Sequence, residues 1–250
     1  MDETCYPLVV IPARGGSSRF PKKPLARIMG KPMIQHVWEV ARASKRVAQT
    51  LVATDDAAIR DVVNEFGGQA VMTSTEFESG SDRVAWVAAE LGAGPDSIVI
   101  NLQGDEPLLA PEALDALVQV LEQNPDAQMA TLAVKKSGDE ELHNPNVVKV
   151  VFGRSGEALY FSRAPLRSGS GFFFKHIGVY AFRYAALQSF CRLEPSPLEQ
   201  VERLEQLRAL QNGFTIQVIP IAEDTVAVDL PGDIALVEQV LKMRTEERHP

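Results

Sequence analysis

Leu8-Val9-Val10-Ile11-Pro12-Ala13-Arg14-Gly15-Gly16-Ser17-Ser18-Arg19-Phe20-Pro21-Lys22-Lys23-Pro24 turns, within a few positions, from an apolar run into a loop of small and basic residues. The β-branched run at 8–11, ended by Pro12, reads as a buried strand. The loop that follows is suited to phosphate. Small residues let backbone N–H groups come close to phosphate oxygens, and Arg and Lys neutralise the charge. It contains neither the Gly-Lys-Ser/Thr of a Walker A loop nor the Gly-x-Gly-x-x-Gly of a dinucleotide fingerprint. A solvated basic turn is the plain alternative, and the position at a strand's carboxyl end favours the phosphate site.

Outward from this stretch, strands and helices alternate. Met33, Ile34, Val37 and Ala41 recur at helical spacing after Pro32. A second strand is expected over 50–54, a helix over 57–66 stopped by Gly67-Gly68, and a third strand over 70–72. Ser79 to Ser81 offer N-caps for a helix reaching Leu91, 97–102 reads as a fourth strand, and Pro111 opens another helix. Such alternation implies an α/β fold with a mostly parallel, Rossmann-like sheet and helices on both faces. Ligands then bind beyond the carboxyl ends of the strands, in the loops at 12–24, 55–56, 73–80 and 103–107.

After Met129 the pattern changes. Residues 147–152 and 158–161 read as a hairpin around Arg154-Ser155-Gly156, and 172–182 adds a partly alternating apolar run. We expect a single domain over 1–250 with a smaller, antiparallel inserted patch around 140–185 that serves as a sugar-binding or dimerisation lobe. The run Phe172-Phe173-Phe174 and the 147–152 region are either dimer contacts or core. A helix over 199–210, a strand over 216–220 and a closing helix over 231–243 complete the reading.

The formal net charge of −8 argues against a general nucleic-acid surface, although a local basic loop can still take an anionic substrate. No apolar run approaches the length of a membrane span, and Cys5 and Cys191 match no metal-ligand spacing. A reduced, cytoplasmic protein is the expectation.

Two carboxylates stand out. Asp105, in Asn101-Leu102-Gln103-Gly104-Asp105-Glu106-Pro107, is delivered by a strand to the same end of the sheet as the basic loop. Asp229, in Ala227-Val228-Asp229-Leu230-Pro231, has a similar strand-to-turn setting. Short, hard carboxylates suit Mg2+ shared with substrate phosphates. Taken singly, Asp105 reads first as a turn former or helix cap, and Asp229 equally as an N-cap for the final helix. Together with the basic loop they describe a nucleotidyl-transfer site, where positioning and charge neutralisation carry the chemistry.

The chain resembles the 3-deoxy-manno-octulosonate cytidylyltransferase (CMP-Kdo synthetase) family. The resemblance rests on Val10-Ile11-Pro12-Ala13-Arg14, Arg19-Phe20-Pro21-Lys22-Lys23-Pro24-Leu25, Asn101-Leu102-Gln103-Gly104-Asp105-Glu106-Pro107 and Asn144-Pro145-Asn146-Val147-Val148-Lys149. Tyr160-Phe161-Ser162-Arg163 and Lys175-His176-Ile177-Gly178-Val179-Tyr180 continue it in unbroken order. It implies Mg2+-dependent transfer of CMP from CTP to 3-deoxy-D-manno-octulosonate (Kdo), with release of pyrophosphate, for lipopolysaccharide biosynthesis in a homodimer. It also implies roles at matching positions. Arg14, Ser17 and Lys23 would contact the CTP phosphates, and Gly80 and Arg83 would lie near the nucleotide. Asp105 and Asp229 would hold the metal. Arg19, Gln103, Arg163, His176, Tyr180, Glu205 and Gln206 would surround the sugar acid, with Lys23, Asp105, Asp229 and Arg19 as the catalytic set. By pattern alone, His176 reads as a satisfied core histidine and Glu205-Gln206 as a solvated helix face. Between Arg163 and Phe172 the link Ala164-Pro165-Leu166-Arg167-Ser168-Gly169-Ser170-Gly171 is shorter than in many relatives; Arg167 either replaces a cation supplied there or faces solvent.

Overall fold

The computed structural model describes residues 6–16 and 20–248, the last four by backbone alone. Ser17, Arg19 and Cys5 lie outside the described residues. The first half runs β1 (Leu8–Ala13), the short hairpin β2 (Arg27–Ile28) and β3 (Lys31–Pro32), α1 (Met33–Ala43), β4 (Gln49–Thr54) and α2 (Ala57–Glu65). It continues with β5 (Ala70–Met72), α3 (Gly80–Glu90), β6 (Ile98–Asn101) and α4 (Pro111–Gln123). The second half holds β7 (Met129–Ser137), α5 (Asp139–His143), β8 (Lys149–Phe152), β9 (Ala158–Ser162) and β10 (Phe172–Arg183). It ends with α6 (Tyr184–Cys191), α7 (Pro197–Glu202), α8 (Gln206–Gln211), β11 (Ile216–Ile221) and α9 (Asp233–Arg248).

The main sheet is ordered β11-β7-β10-β6-β1-β4-β5, with β8 and β9 attached through β10. β6, β1, β4 and β5 pair in parallel, as the alternation predicts, and β11 pairs in parallel with β7. β10 runs antiparallel between β6 and β7.

Side-chain alternation sends each strand into two cores. Val9, Ile11, Val52, Ile100, Leu132 and Val134 face the layer built on α1, α2 and α4. Leu8, Val10, Leu51, Ala53, Val99 and Ala133 face the layer built on α3, α6 and α8. Strands buried on both faces read as continuous apolar runs rather than alternating ones. The helix starts follow local chemistry. Asp56 Oδ1 accepts from Ala58 N at 2.8 Å to cap α2, and Ser79 and Asp82 form a reciprocal capping box at α3.

Two expectations need correction. The helix predicted over 199–210 is two short helices, α7 and α8, because Arg203 turns left-handed at φ 55° and re-aims the chain. Glu205 thereby leaves the solvated face expected of it and reaches the ligand-binding end of the sheet. Residues 129–137, assigned no element from sequence, form β7, which sits between β10 and β11 and is buried from Met129 to Val134.

Candidate active site

A cleft of about 360 Å³ opens at the carboxyl ends of β1 and β6. It is walled by residues 12–14, the Lys23-Pro24 turn, residues 78–80 at the start of α3, residues 103–105 after β6, and Glu205. Gly104 sits where the two strand ends approach: a Cβ there would stand 3.2 Å from the Pro12 carbonyl oxygen, a tight contact that glycine avoids. At Gly15 a Cβ would fall 2.2 Å from Asp56 Oδ2, so a side chain there would displace that carboxylate.

Two charged side chains of this cleft, Lys23 and Asp105, meet on its floor, and Asp229 stands beside them. Lys23 Nζ donates to Asp105 Oδ2 at 2.6 Å and to the Val228 carbonyl at 2.9 Å, and lies 3.8 Å from Asp229 Oδ1. The loops carrying the carboxylates are stitched by Val228 N donating to the Asp105 carbonyl at 2.9 Å. Asp233 Oδ2 accepts from both Asp229 N and Leu230 N at 2.8 Å and so shapes the turn before α9. Residues far apart in sequence therefore converge on one cation. Among the described residues no group of three or more His, Cys, Asp or Glu forms a metal cluster. Two carboxylates beside a peptide carbonyl are nonetheless a fitting donor set for Mg2+, which binds through one or two carboxylates and completes its shell with substrate phosphates and water.

Behind this floor Glu106 is buried, and burial, reinforced by the neighbouring Asp105 carboxylate, pushes it up to about 8. Its Oε2 has no partner, which is the condition of a protonated carboxyl better than of an ion. The adjoining strap is clamped from β7 and β10: Lys136 Nζ and Lys175 Nζ donate to the two oxygens of Asp224 at 2.7 and 2.8 Å, and Lys175 also reaches the Thr225 carbonyl at 2.9 Å. Sequence reading named neither Glu106 nor Asp224 for any role. The available signal was a carboxyl set against the apolar Pro107-Leu108-Leu109.

The remaining predicted residues divide. Arg14, Gly80, Gln103 and Glu205 line the cleft. Arg14 donates to the Glu78 carbonyl at 2.9 Å, and Gln103 Nε2 to Asn101 Oδ1 at 3.0 Å. Glu205 Oε2 accepts from Ser81 Oγ at 3.3 Å, and burial raises its carboxyl against the pull of Arg208. Arg83 is fully buried and is not part of the lining. It pairs with Asp55 at 2.7 Å, donates to Thr73, and stacks over Phe77.

His176 lies in the core beside Phe161 and Tyr180. Its Nε2 is 2.9 Å from Thr131 Oγ1, whose hydroxyl donates to the Val179 carbonyl at 2.8 Å. A hydroxyl donating there accepts from the ring, which puts the neutral ring's proton on Nε2. Burial alone holds this imidazole down to about 3. The Tyr180 phenol, pushed well above its ordinary value by burial and then by Glu205, forms a second layer behind that carboxylate. Arg163 braces β9: its guanidinium donates to the carbonyls of Glu202 (2.8 Å), Pro145 (3.0 Å) and Arg203 (3.4 Å). Gln206 is buried, with Nε2 lacking a partner. Arg167 is half-exposed and pairs with Asp139 at 2.5 Å. The aromatic run packs within the chain, with Phe173 in the core and Phe174 against Phe152 and Phe172.

A mostly parallel sheet with a basic loop at its strand ends, and two carboxylates that converge on a lysine of that loop, is the arrangement of the nucleotidyltransferase class. Comparison with known proteins is specific. The cytidylyltransferase family model matches residues 8–224. The 3-deoxy-manno-octulosonate cytidylyltransferase of Desulfatibacillum aliphaticivorans is 48% identical, over 94% of this chain and 98% of that protein. That of Thermodesulfovibrio yellowstonii is 44% identical, over 94% and 97%. The 8-amino-3,8-dideoxy-manno-octulosonate cytidylyltransferase of Shewanella piezotolerans is 47% identical, over 92% and 96%. A solved structure of CMP:2-keto-3-deoxy-manno-octonic acid synthetase complexed with CTP superposes with a TM-score of 0.89 at 41% identity, covering 96% of this chain and 99% of that one. The chain belongs to the 3-deoxy-manno-octulosonate cytidylyltransferase (CMP-Kdo synthetase) family, and it is a nucleotidyltransferase.

Proposed function

We propose that this enzyme transfers CMP from CTP to Kdo, releasing pyrophosphate, with Mg2+ held by Asp105 and Asp229. The observation that carries the reading is the meeting of both carboxylates on Lys23 at the mouth of the basic loop. Mg2+, when bound, would neutralise the α-phosphate and the departing pyrophosphate.

The chain's own residues do the rest. Arg14 and Lys23, with Ser17 from the same loop, bind and orient the triphosphate, and Arg19 meets the sugar acid. Gly80, lining the cleft without a side chain, leaves room beside the Pro12 ring for the nucleotide. Gln103 and Glu205 accept and donate to sugar hydroxyls, and Tyr180 supports Glu205 from behind. His176, Arg163 and Gln206 act in the layer behind these contacts. Arg83 keeps the start of α3 in place through Asp55. The C2 hydroxyl oxygen of Kdo attacks the α-phosphorus in line, its proton passes to solvent, the bond to the bridging oxygen breaks, and pyrophosphate leaves. Holding these atoms in line accounts for a large share of the acceleration.

A second acceptor, 8-amino-3,8-dideoxy-manno-octulosonate, is favoured by one observation: proteins named for that sugar are as similar to this chain as those named for Kdo. Pyrophosphate release with CTP, UTP or GTP against Kdo and its 8-amino analogue separates the readings. We expect turnover with CTP and Kdo; activity confined to another nucleotide would overturn the assignment. No described helix is long and apolar enough to cross a membrane. A cytoplasmic homodimer fits the family, and exposed Leu159, Leu198 and Val201 lie outside the cleft for such contact. Sedimentation at micromolar concentration should return twice the chain mass.

A further inference from the structure

We propose that Lys23 is an internal counter-cation that competes with the divalent ion for Asp105 and Asp229, so that the metal enters together with the triphosphate rather than ahead of it. The inference rests on the metal reading of those two carboxylates.

The geometry is specific. Lys23 starts a 3-10 turn whose entry is fixed by Lys22 in a left-handed conformation at φ 54°. Lys22 N bonds back to the Gly15 carbonyl and Leu25 N to the Lys22 carbonyl, so the root of the lysine is anchored. From there its ammonium spends its donors on Asp105 Oδ2 at 2.6 Å and the Val228 carbonyl at 2.9 Å, with Asp229 Oδ1 at 3.8 Å. The side chain is only 17% exposed. These are the oxygens a hard cation would take. Two nearby carboxylates raise each other's energy, and one ammonium relieves that strain. A divalent ion on the same oxygens would stand within a few ångströms of the ammonium, and the two would repel.

Occupation by Lys23 and occupation by metal therefore exclude each other. The lysine has a flexible four-carbon stem and a second class of anion within reach, the triphosphate bound by the same loop. A ligand that draws the ammonium off the carboxylates frees them for the metal. By linkage, nucleotide must then strengthen metal binding and metal must strengthen nucleotide binding by the same factor.

The test is Mn2+ binding by the full chain, read from the electron paramagnetic resonance of free Mn2+, with and without CTP. Circular dichroism and a thermal melt serve as folding controls. Without nucleotide, K23M and K23Q are expected to bind Mn2+ at least about tenfold more tightly than the parent, and K23R close to the parent. R14Q, which removes a positive charge from the cleft wall but not from the carboxylates, should change affinity less than about threefold. CTP should tighten Mn2+ strongly in the parent and little in K23M. Equal or weaker binding by both neutral variants, or an equal gain from R14Q, overturns the competition. The underlying metal reading is judged separately by D105N. If D105N abolishes CTP-supported Mn2+ binding, the site stands whatever Lys23 does; if it leaves that binding intact, the site and this inference both fall.

Discussion

The parallel and antiparallel halves of the sheet use their polar residues in opposite ways. At the carboxyl ends of β1 and β6, Arg14, Lys23, Asp105 and Glu205 face a solvent-open cleft, and their bonds are of a kind that ligands can replace. Around β8–β10, Lys149 is fully buried on three carbonyl oxygens, Arg163 is spent on main-chain carbonyls, and His176 is closed in by Thr131, Phe161 and Tyr180. Similar side chains thus stand open to ligand in one half and serve as scaffold in the other. The cause is topology: parallel strands deliver their loops to one edge, whereas an antiparallel strand such as β10 passes its polar groups through the core.

Asp105→Asn should separate the halves most sharply. It is expected to lower turnover by about 10²–10³-fold, on the scale of lost electrostatic stabilisation, while leaving the melting temperature close to the parent's. Near-normal turnover with Mg2+ would remove Asp105 from the chemistry. His176→Ala is the mirror experiment. It should cost about 2–3 kcal/mol of stability through the cavity and the lost Thr131 partner, with turnover at permissive temperature reduced less than about tenfold. A larger loss of turnover with an unchanged melt would move His176 from scaffold to chemistry.

Asp224 tests the seam between the halves, because its clamp by Lys136 and Lys175 holds the strap that leads to Asp229. Asp224→Asn is expected to raise the Mg2+ concentration needed for half-maximal rate by about three- to tenfold, a coupling on the order of 1 kcal/mol. An unchanged Mg2+ requirement would show that the strap holds its place without the clamp.

The smallest effect concerns pH. Burial holds His176 down to about 3, so its contribution to stability is present above the ordinary histidine value near 6.5 and is lost as pH falls toward 3. Glu106 runs the other way. Pushed up to about 8 from 4.5, its contribution is present below 4.5 and is lost as pH rises through 8. Glu106→Gln mimics the protonated form. Its stability advantage over the parent should be smallest at pH 5 and grow steadily as pH rises toward 8. A constant difference across that range would mean that Glu106 is not held protonated.

Much of the parallel half was legible before the structure. A β-branched run ending at Pro12, caps at Asp56 and Ser79, and Pro111 each carry their own physical signal. The pairing of Asp229 with Asp105 was expected from their turn settings and from the resemblance, although nothing local tells which turns of a distant segment will meet. β7 escaped notice because Met129-Ala130-Thr131-Leu132-Ala133-Val134 is buried on both faces and poor in β-branched residues, so neither alternation nor propensity announces a strand. The break at Arg203 was invisible because a left-handed turn at a non-glycine residue is imposed by tertiary packing and leaves no compositional mark. That break carries Glu205 to the cleft, where only the resemblance, and not the local pattern, placed it.

One structure would decide the matter: crystals grown with CTP and Mn2+, in which anomalous scattering locates the metal. The peak is expected within coordination distance of both the Asp105 and Asp229 carboxylates and against the triphosphate, with the Lys23 ammonium turned from Asp105 to phosphate oxygen. A metal that touches neither carboxylate would contradict this expectation.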